Sequence, residues 1–148
     1  MPRTRTVVLS ILGGLVLVVA IVVVVGVAWW KHNGAALINE GRTEIAGGRQ
    51  AGKGIPAARC VELTLDRHAQ ASPSMRNTLM ESSFLTGCLE AADSLAALCA
   101  TNPEPGIIGD AKWAVGVCSR RGLTDRYCAQ AVQPVMKACR RLTQQPSA

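Results

Sequence analysis

Hydrophobic residues along this chain begin with one continuous run near the N-terminus. Residues 7–30, VVLSILGGLVLVVAIVVVVGVAWW, contain no charged side chain. A helix rises 1.5 Å per residue, so about 20 apolar residues cross the hydrocarbon core of a bilayer. Trp29, Trp30 and Lys31 close the run as an interfacial belt does at the end of a membrane helix. The pattern predicts a transmembrane anchor over residues 7–30.

A cleaved signal peptide is the alternative interpretation of the same run. Arg3 and Arg5 give it the basic start that signal peptides have. The apolar stretch is longer than the 7–15 residues of a signal peptide, which favours an uncleaved anchor. Basic residues close to the run are nearly balanced on its two sides, so charge alone does not decide its orientation.

Beyond residue 54, apolar residues recur every three or four positions, which is the period of a helix with one buried face. No alternating strand pattern is present. Helix starts are predicted from capping residues and prolines, at Pro56, Ser72–Pro73, Asp110 and Thr124. Gly122 is predicted to end one helix, and Pro134 to split the last one near Gln133. These signals predict four to five short helices.

Six cysteines follow the apolar run: Cys60, Cys88, Cys99, Cys118, Cys128 and Cys139. Zinc sites draw cysteines in pairs two to four residues apart, and neither that spacing nor a C-x-x-C motif occurs here. An even number in a small exported domain favours three structural disulfides, with fifteen pairings open. Buried free thiols in a cytosolic domain are the alternative. The fold class predicted is all-α, a single transmembrane helix followed by a small disulfide-stapled helical bundle.

Together these signals predict five stretches. They are a short basic cytosolic N-terminus (1–6), the anchor (7–30), a juxtamembrane helix or glycine-containing spacer (31–54), a cysteine-rich helical domain (55–143) and a tail (144–148). Disulfides persist in oxidising compartments. We therefore expect a single-pass membrane protein whose N-terminus is cytosolic and whose C-terminal domain lies in the periplasm or the exterior.

Candidate catalytic groups are scarce in the sequence. His68 is the only histidine suited to catalysis, and a lone histidine in a helix is more often a surface or packing residue. No G-x-S-x-G elbow or metal-binding spacing accompanies it. The expectation is a non-catalytic protein with no cofactor and no metal. A small envelope enzyme or redox factor is the alternative, which a reactive thiol pair or a requirement for His68 would reveal.

The basic residues are concentrated at the C-terminal end. Residues 111–148 contain seven Lys or Arg and one acidic residue, whereas residues 31–110 contain seven basic and nine acidic residues. A solvated face is the simplest interpretation. The functional interpretation is a surface that contacts an acidic protein partner in the cell envelope, anionic lipid headgroups or a cell-envelope polymer. The residues for that contact are Arg120, Arg121, Arg126, Lys137, Arg140 and Arg141.

Nucleic acid and a second copy of the chain are two other candidate partners. SRRGLTDR (119–126) could form the turn of a helix-turn-helix, but six cysteines are unusual in the cytosol, and the chain has one Phe and one Tyr for base stacking. We expect no nucleic acid, and a membrane-tethered DNA-binding protein is the weakest alternative. Ser10 and Gly14 form a small-xxx-small pair that would allow a homodimer, although an unpartnered anchor is preferred. The predicted function is a membrane-anchored, non-catalytic extracytoplasmic interaction or assembly module.

Overall fold

The computed structural model describes the backbone of residues 2–101 and 106–144, and the side chains of 13–31, 34–101 and 106–144. Over these ranges the chain forms helices and no β-strand, so the all-α prediction is confirmed. The helices are α1 (Pro2–Gly52), α2 (Ala57–Gln70), α3 (Met75–Ala91), α4 (Leu95–Cys99), α5 (Ile107–Arg120), α6 (Arg126–Ala131) and α7 (Gln133–Gln144). The chain divides into two units, residues 1–39 and 40–148.

The first unit is the N-terminal part of α1. Its segment Gly13–Lys31 has a mean hydropathy of 2.6, and no part of it is buried. This segment is long and apolar enough to cross a membrane, and it is the one such helix among the described residues. The side chains of residues 2–12, including Ser10 of the proposed small pair, lie outside the described residues. Residues 31–54 were predicted as a helix or a spacer, and 31–52 of them belong to α1.

In the second unit, the C-terminal part of α1 approaches α3 so closely that two glycines face the opposing backbone. A Cβ atom on Gly48 would collide with the carbonyl oxygen of Phe84, and one on Gly87 with the carbonyl oxygen of Ile45. Gly47 differs, since a Cβ there would meet nothing within 4 Å. Glycine weakens an isolated helix, but at Gly48 and Gly87 its small size permits the contact between the two helices.

Two predicted helix caps are wrong by one or two residues. The side chain of Ser74, not Ser72, caps α3 by accepting a hydrogen bond from the Asn77 N–H at 3.2 Å. The side chain of Asp125, not Thr124, caps α6. A cap must have extended backbone directly before the first helical residue. Both residues meet that condition.

Of the other predicted helix boundaries, two differ from the structure and two are confirmed. Asp110 lies in the first turn of α5, whose N-cap is Gly106, so this helix begins earlier than predicted. Pro56 is the N-cap of α2 and not its first helical residue. Gly122 follows α5 with a φ of +71°, a left-handed conformation that suits glycine, as predicted for a helix end. The predicted split near Pro134 is confirmed, because α6 ends at Ala131 and α7 begins at Gln133.

Helices α2–α7 enclose one core and are joined by three disulfides, as the cysteine count predicts. Cys60–Cys88 joins α2 to α3, Cys99–Cys139 joins α4 to α7, and Cys118–Cys128 joins α5 to α6. Around them pack buried apolar side chains, among them Leu85, Val132 and Val135, which are fully buried. Each disulfide joins two different helices, so the six helices are fixed to one another in pairs.

Candidate functional site

The second unit has a groove of about 830 Å³ lined by residues of α3, α4, α5, α6 and α7. Its floor is formed by the buried side chains of Leu89, Ala114 and Met136. A short α5–α6 connection and the Cys118–Cys128 disulfide hold two of the surrounding helices together. The groove is therefore an apolar depression with fixed walls, the kind of surface on which an apolar ligand face can pack.

The exposed apolar surface of α5 borders this groove. Ile107 is 89% exposed, Ile108 71% and Val115 55%. Ile107, Ala111 and Val115 line the groove and also belong to a shallow apolar depression on the outer face of α5. Because they are spaced four residues apart, they lie on one face of the helix. The floor of the groove thus continues outwards as an apolar strip, which a monomeric soluble surface seldom presents.

The rim of the groove is basic. Lys137, Arg140 and Arg141 of α7 line it together with two acidic residues, Glu90 and Asp110. Arg140 pairs with Asp110 at 2.6 Å, and Glu90 pairs with Arg49 of α1 at 2.7 Å. Both acidic side chains of the lining are therefore already neutralised by an arginine.

The structure separates the six residues predicted to contact a partner. Lys137, Arg140 and Arg141 line the groove, whereas the other three do not. Arg121 pairs with Asp66 at 2.9 Å, and Arg126 donates a hydrogen bond to the hydroxyl of Tyr127. The side chains of Arg120, Lys137 and Arg141 make no ion pair or hydrogen bond with another described residue. The basic segment is thus not one continuous face.

A second polar feature is buried between helices α2, α3 and α6. His68, whose side chain is 2% exposed, has its Nδ1 atom 2.7 Å from Oε2 of Glu81 and its Nε2 atom 3.0 Å from Oδ2 of Asp125. An ionised carboxylate only accepts hydrogen bonds, so beside two carboxylates both ring nitrogens act as donors in the imidazolium form. The ring thereby links three helices.

The surroundings of His68 shift two pKa values. Burial lowers the pKa of His68, but its hydrogen bonds to Glu81 and Asp125 and their negative charges raise it, and the net result is a raised pKa. Burial raises the pKa of Asp125, while its hydrogen bond with His68 and the N–H groups of Tyr127 and Cys128 lower it, and the lowering prevails. Charged His68 and charged Asp125 stabilise each other in the folded state.

The geometry of this buried cluster suits a structural role better than a catalytic one. Both nitrogens of His68 are occupied by carboxylates, so neither is free to take a proton from a nucleophile. Among the described residues, no group of three His, Cys, Asp or Glu side chains is placed to hold a metal ion. Oε1 of Glu81 is buried without a hydrogen-bond partner among them. The cluster acts as an ionic cross-link beside the disulfides.

One sequence signal indicates the burial of His68, although its partners could not be read from the sequence. Cys60, Val61, Thr64 and Leu65 form the buried face of α2, and His68 continues that spacing. The groove is not evident from the sequence. A helix that begins after Asp110 excludes Ile107 and Ile108, which form part of the exposed face of α5.

The residues predicted at the membrane interface lie at the end of the apolar segment. Trp29 and Trp30 are 56% and 58% exposed, and Lys31 is exposed as well. Gly14 has open space where a Cβ atom would lie.

No protein-family model, curated protein or solved structure matches this chain.

Proposed function

We propose that this chain is a membrane-anchored, non-catalytic interaction or assembly module whose disulfide-stapled domain lies outside the cytosol. The observation that carries the proposal is the combination of an apolar helix near the N-terminus with a domain in which all six cysteines are paired. Glutathione and thioredoxin keep thiols reduced in the cytosol. A domain held by three disulfides therefore belongs in an oxidising compartment, beyond the membrane that the apolar helix crosses.

A binding role is supported by the groove on the solvent-exposed surface of the second unit. Its recessed apolar groove with a basic rim is suited to holding a partner. Among the described residues, the lining contains no histidine that could activate its serine or threonine side chains as nucleophiles. The residues that would do the binding are those of α5 and α7 around the groove.

A redox factor or envelope enzyme is the competing function. Cys99 and Cys139 are only partly buried, whereas the other four cysteines are buried. If Cys99–Cys139 were a reactive pair, it would exchange with small thiols much faster than the other two disulfides. Slow exchange of all three supports a structural role, and an activity lost on changing His68 would overturn the non-catalytic proposal.

Two reporter fusions after Ala148 test the topology. Alkaline phosphatase is active only where disulfides form, and green fluorescent protein reports a cytosolic location. We expect phosphatase activity in the membrane fraction and no fluorescence. A matched variant that lacks residues 7–30 should reverse both readouts. Cytosolic fluorescence of the full chain would overturn the proposal and revive a DNA-binding role, and phosphatase released into the soluble fraction would indicate a cleaved signal peptide.

A further inference from the structure

The groove beside α7 has two cationic groups that no carboxylate of the described residues compensates. The two acidic residues of its lining are engaged by arginines, and the side chains of Lys137 and Arg141 make no ion pair or hydrogen bond with another described residue. Residues four apart on a helix are neighbours on one face. Lys137 and Arg141 therefore form a pair of positive charges, one helical turn apart, along the edge of an apolar floor.

We propose that this groove binds an amphipathic α-helix of a partner protein, with carboxylates one turn apart that face Lys137 and Arg141. The inference rests on the proposed function, since it names the partner class for that same site. The apolar face of such a helix would pack on Ala114 and Met136 and extend over Val115, as helix-in-groove ligands do. The carboxylates set the orientation and the specificity of the complex.

The shape of the site favours a helix over a membrane surface. The groove is recessed between helices, and its basic rim lies beside a polar wall that contains Gln130 and Gln133. A flat layer of lipid headgroups would reach the rim and leave the apolar floor uncovered. A helix is 10–12 Å across with its side chains, and its apolar side chains can enter a recess that a flat layer leaves uncovered.

Charge disfavours a second copy of this chain as the occupant. Its most exposed apolar helix outside the N-terminal segment is α5, whose one acidic residue, Asp110, is engaged by Arg140. A second copy would therefore bring no pair of carboxylates one turn apart to face Lys137 and Arg141. Charge complementarity across an interface gives a complex its specificity.

The test measures binding of a designed peptide to the full chain in nanodiscs of zwitterionic lipid. The peptide has about 14 residues, slightly longer than α7, with leucines on one face and glutamates one turn apart beside them. A second peptide replaces the glutamates by lysines. The variant Lys137→Glu/Arg141→Glu alters the rim. The matched control, Arg42→Glu/Lys53→Glu, makes the same change in net charge at exposed positions outside the groove lining.

We expect fluorescence anisotropy to show that the acidic peptide binds the wild-type chain and the control, and binds the rim variant at least about tenfold more weakly. The lysine peptide should prefer the rim variant, a reversal that a misfolded protein could not produce. Val115→Asp should weaken both complexes. Equal binding of the acidic peptide to the rim variant and the control would overturn the inference.

Two further outcomes would also overturn it. One is no peptide binding combined with binding of phosphatidylglycerol vesicles that depends on Lys137 and Arg141. The other is a dimer of the wild-type chain that Val115→Asp dissociates. Either result would leave the extracytoplasmic anchored module intact, because that proposal depends on the reporter fusions and not on the peptide.

Discussion

At the scale of single residues, the buried ion pairs of His68 contribute to the stability of the fold. Its imidazolium lies between Glu81 and Asp125 and replaces apolar packing at the junction of three helices. Removing one partner of a buried ion pair leaves an uncompensated charge, which costs about 3–5 kcal/mol. The cluster should therefore respond to pH and to substitution more strongly than the exposed ion pairs do, since exposed pairs contribute about 0–1 kcal/mol.

The first prediction concerns the pH dependence of folding. The pKa of His68 is raised in the folded state, so its contribution is complete below its usual value of 6.5 and is lost as the pH rises through the folded pKa. The pKa of Asp125 is lowered, so its contribution is present above 3.8 and is lost as the pH falls through the folded pKa. We expect the free energy of unfolding to fall above pH 6.5, by at most about 1.4 kcal/mol per pH unit for this one proton.

Urea unfolding at several pH values measures this effect, and His68→Gln is the matching variant. The variant should be less stable at pH 5.5 and should lose the decline above pH 6.5. If the variant does not fold, NMR titration of the His68 imidazole in the wild-type chain provides the same test. A pKa for His68 at or below 6.5 in the folded chain would contradict the account.

The burial of His68 could be predicted from the sequence, but its partners could not. Spacing along α2 places His68 with Val61 and Leu65, because the helical period is a local property. Glu81 and Asp125 reach it only through the packing of α3 and α6, which no local pattern encodes. The pairing of the six cysteines was open for the same reason.

At the scale of helices, close approach and capping decide the geometry. The apolar segment, the helical bundle and the split at Pro134 follow from composition and period, and they were predicted correctly. Caps are harder to predict, because Ser72 and Ser74 both precede the same apolar pattern, and only the backbone conformation selects Ser74. The glycines of α1 suggested a weak helix, whereas Gly48 faces the backbone of α3.

The second prediction uses adjacent glycines of α1. Gly48→Ala places a methyl group against the backbone of α3 and should destabilise the domain by about 1–3 kcal/mol, as overpacking does. Gly47→Ala enters open space and should stabilise α1 by about 0.5–1 kcal/mol. Gly87→Ala, on the opposing helix, should behave like Gly48→Ala. Urea unfolding of the full chain in detergent, followed by circular dichroism, compares the three. Equal effects at Gly47 and Gly48 would show that the two helices do not meet there.

At the scale of the whole molecule, the chain has an apolar helical segment near its N-terminus and a second unit closed by three disulfides. In the chain-entropy model, the spans of 10, 28 and 40 residues correspond to about 2.7, 3.6 and 3.9 kcal/mol of stabilisation. Removing all three disulfides would therefore remove much of the free energy of unfolding, which is about 5–15 kcal/mol for a typical domain. Reduction should unfold the bundle, and the groove between α5 and α7 should be lost with it.

The most direct test of this account is disulfide mapping of the chain isolated from its native membrane, with thiols trapped before lysis. Trypsin leaves Cys88 and Cys99 on one peptide, residues 77–112, and a second cut after Glu90 separates them. We predict that non-reducing mass spectrometry finds no alkylated cysteine. It should find three linked pairs, Cys60–Cys88, Cys99–Cys139 and Cys118–Cys128. Six trapped free thiols, or any other pairing, would contradict the account.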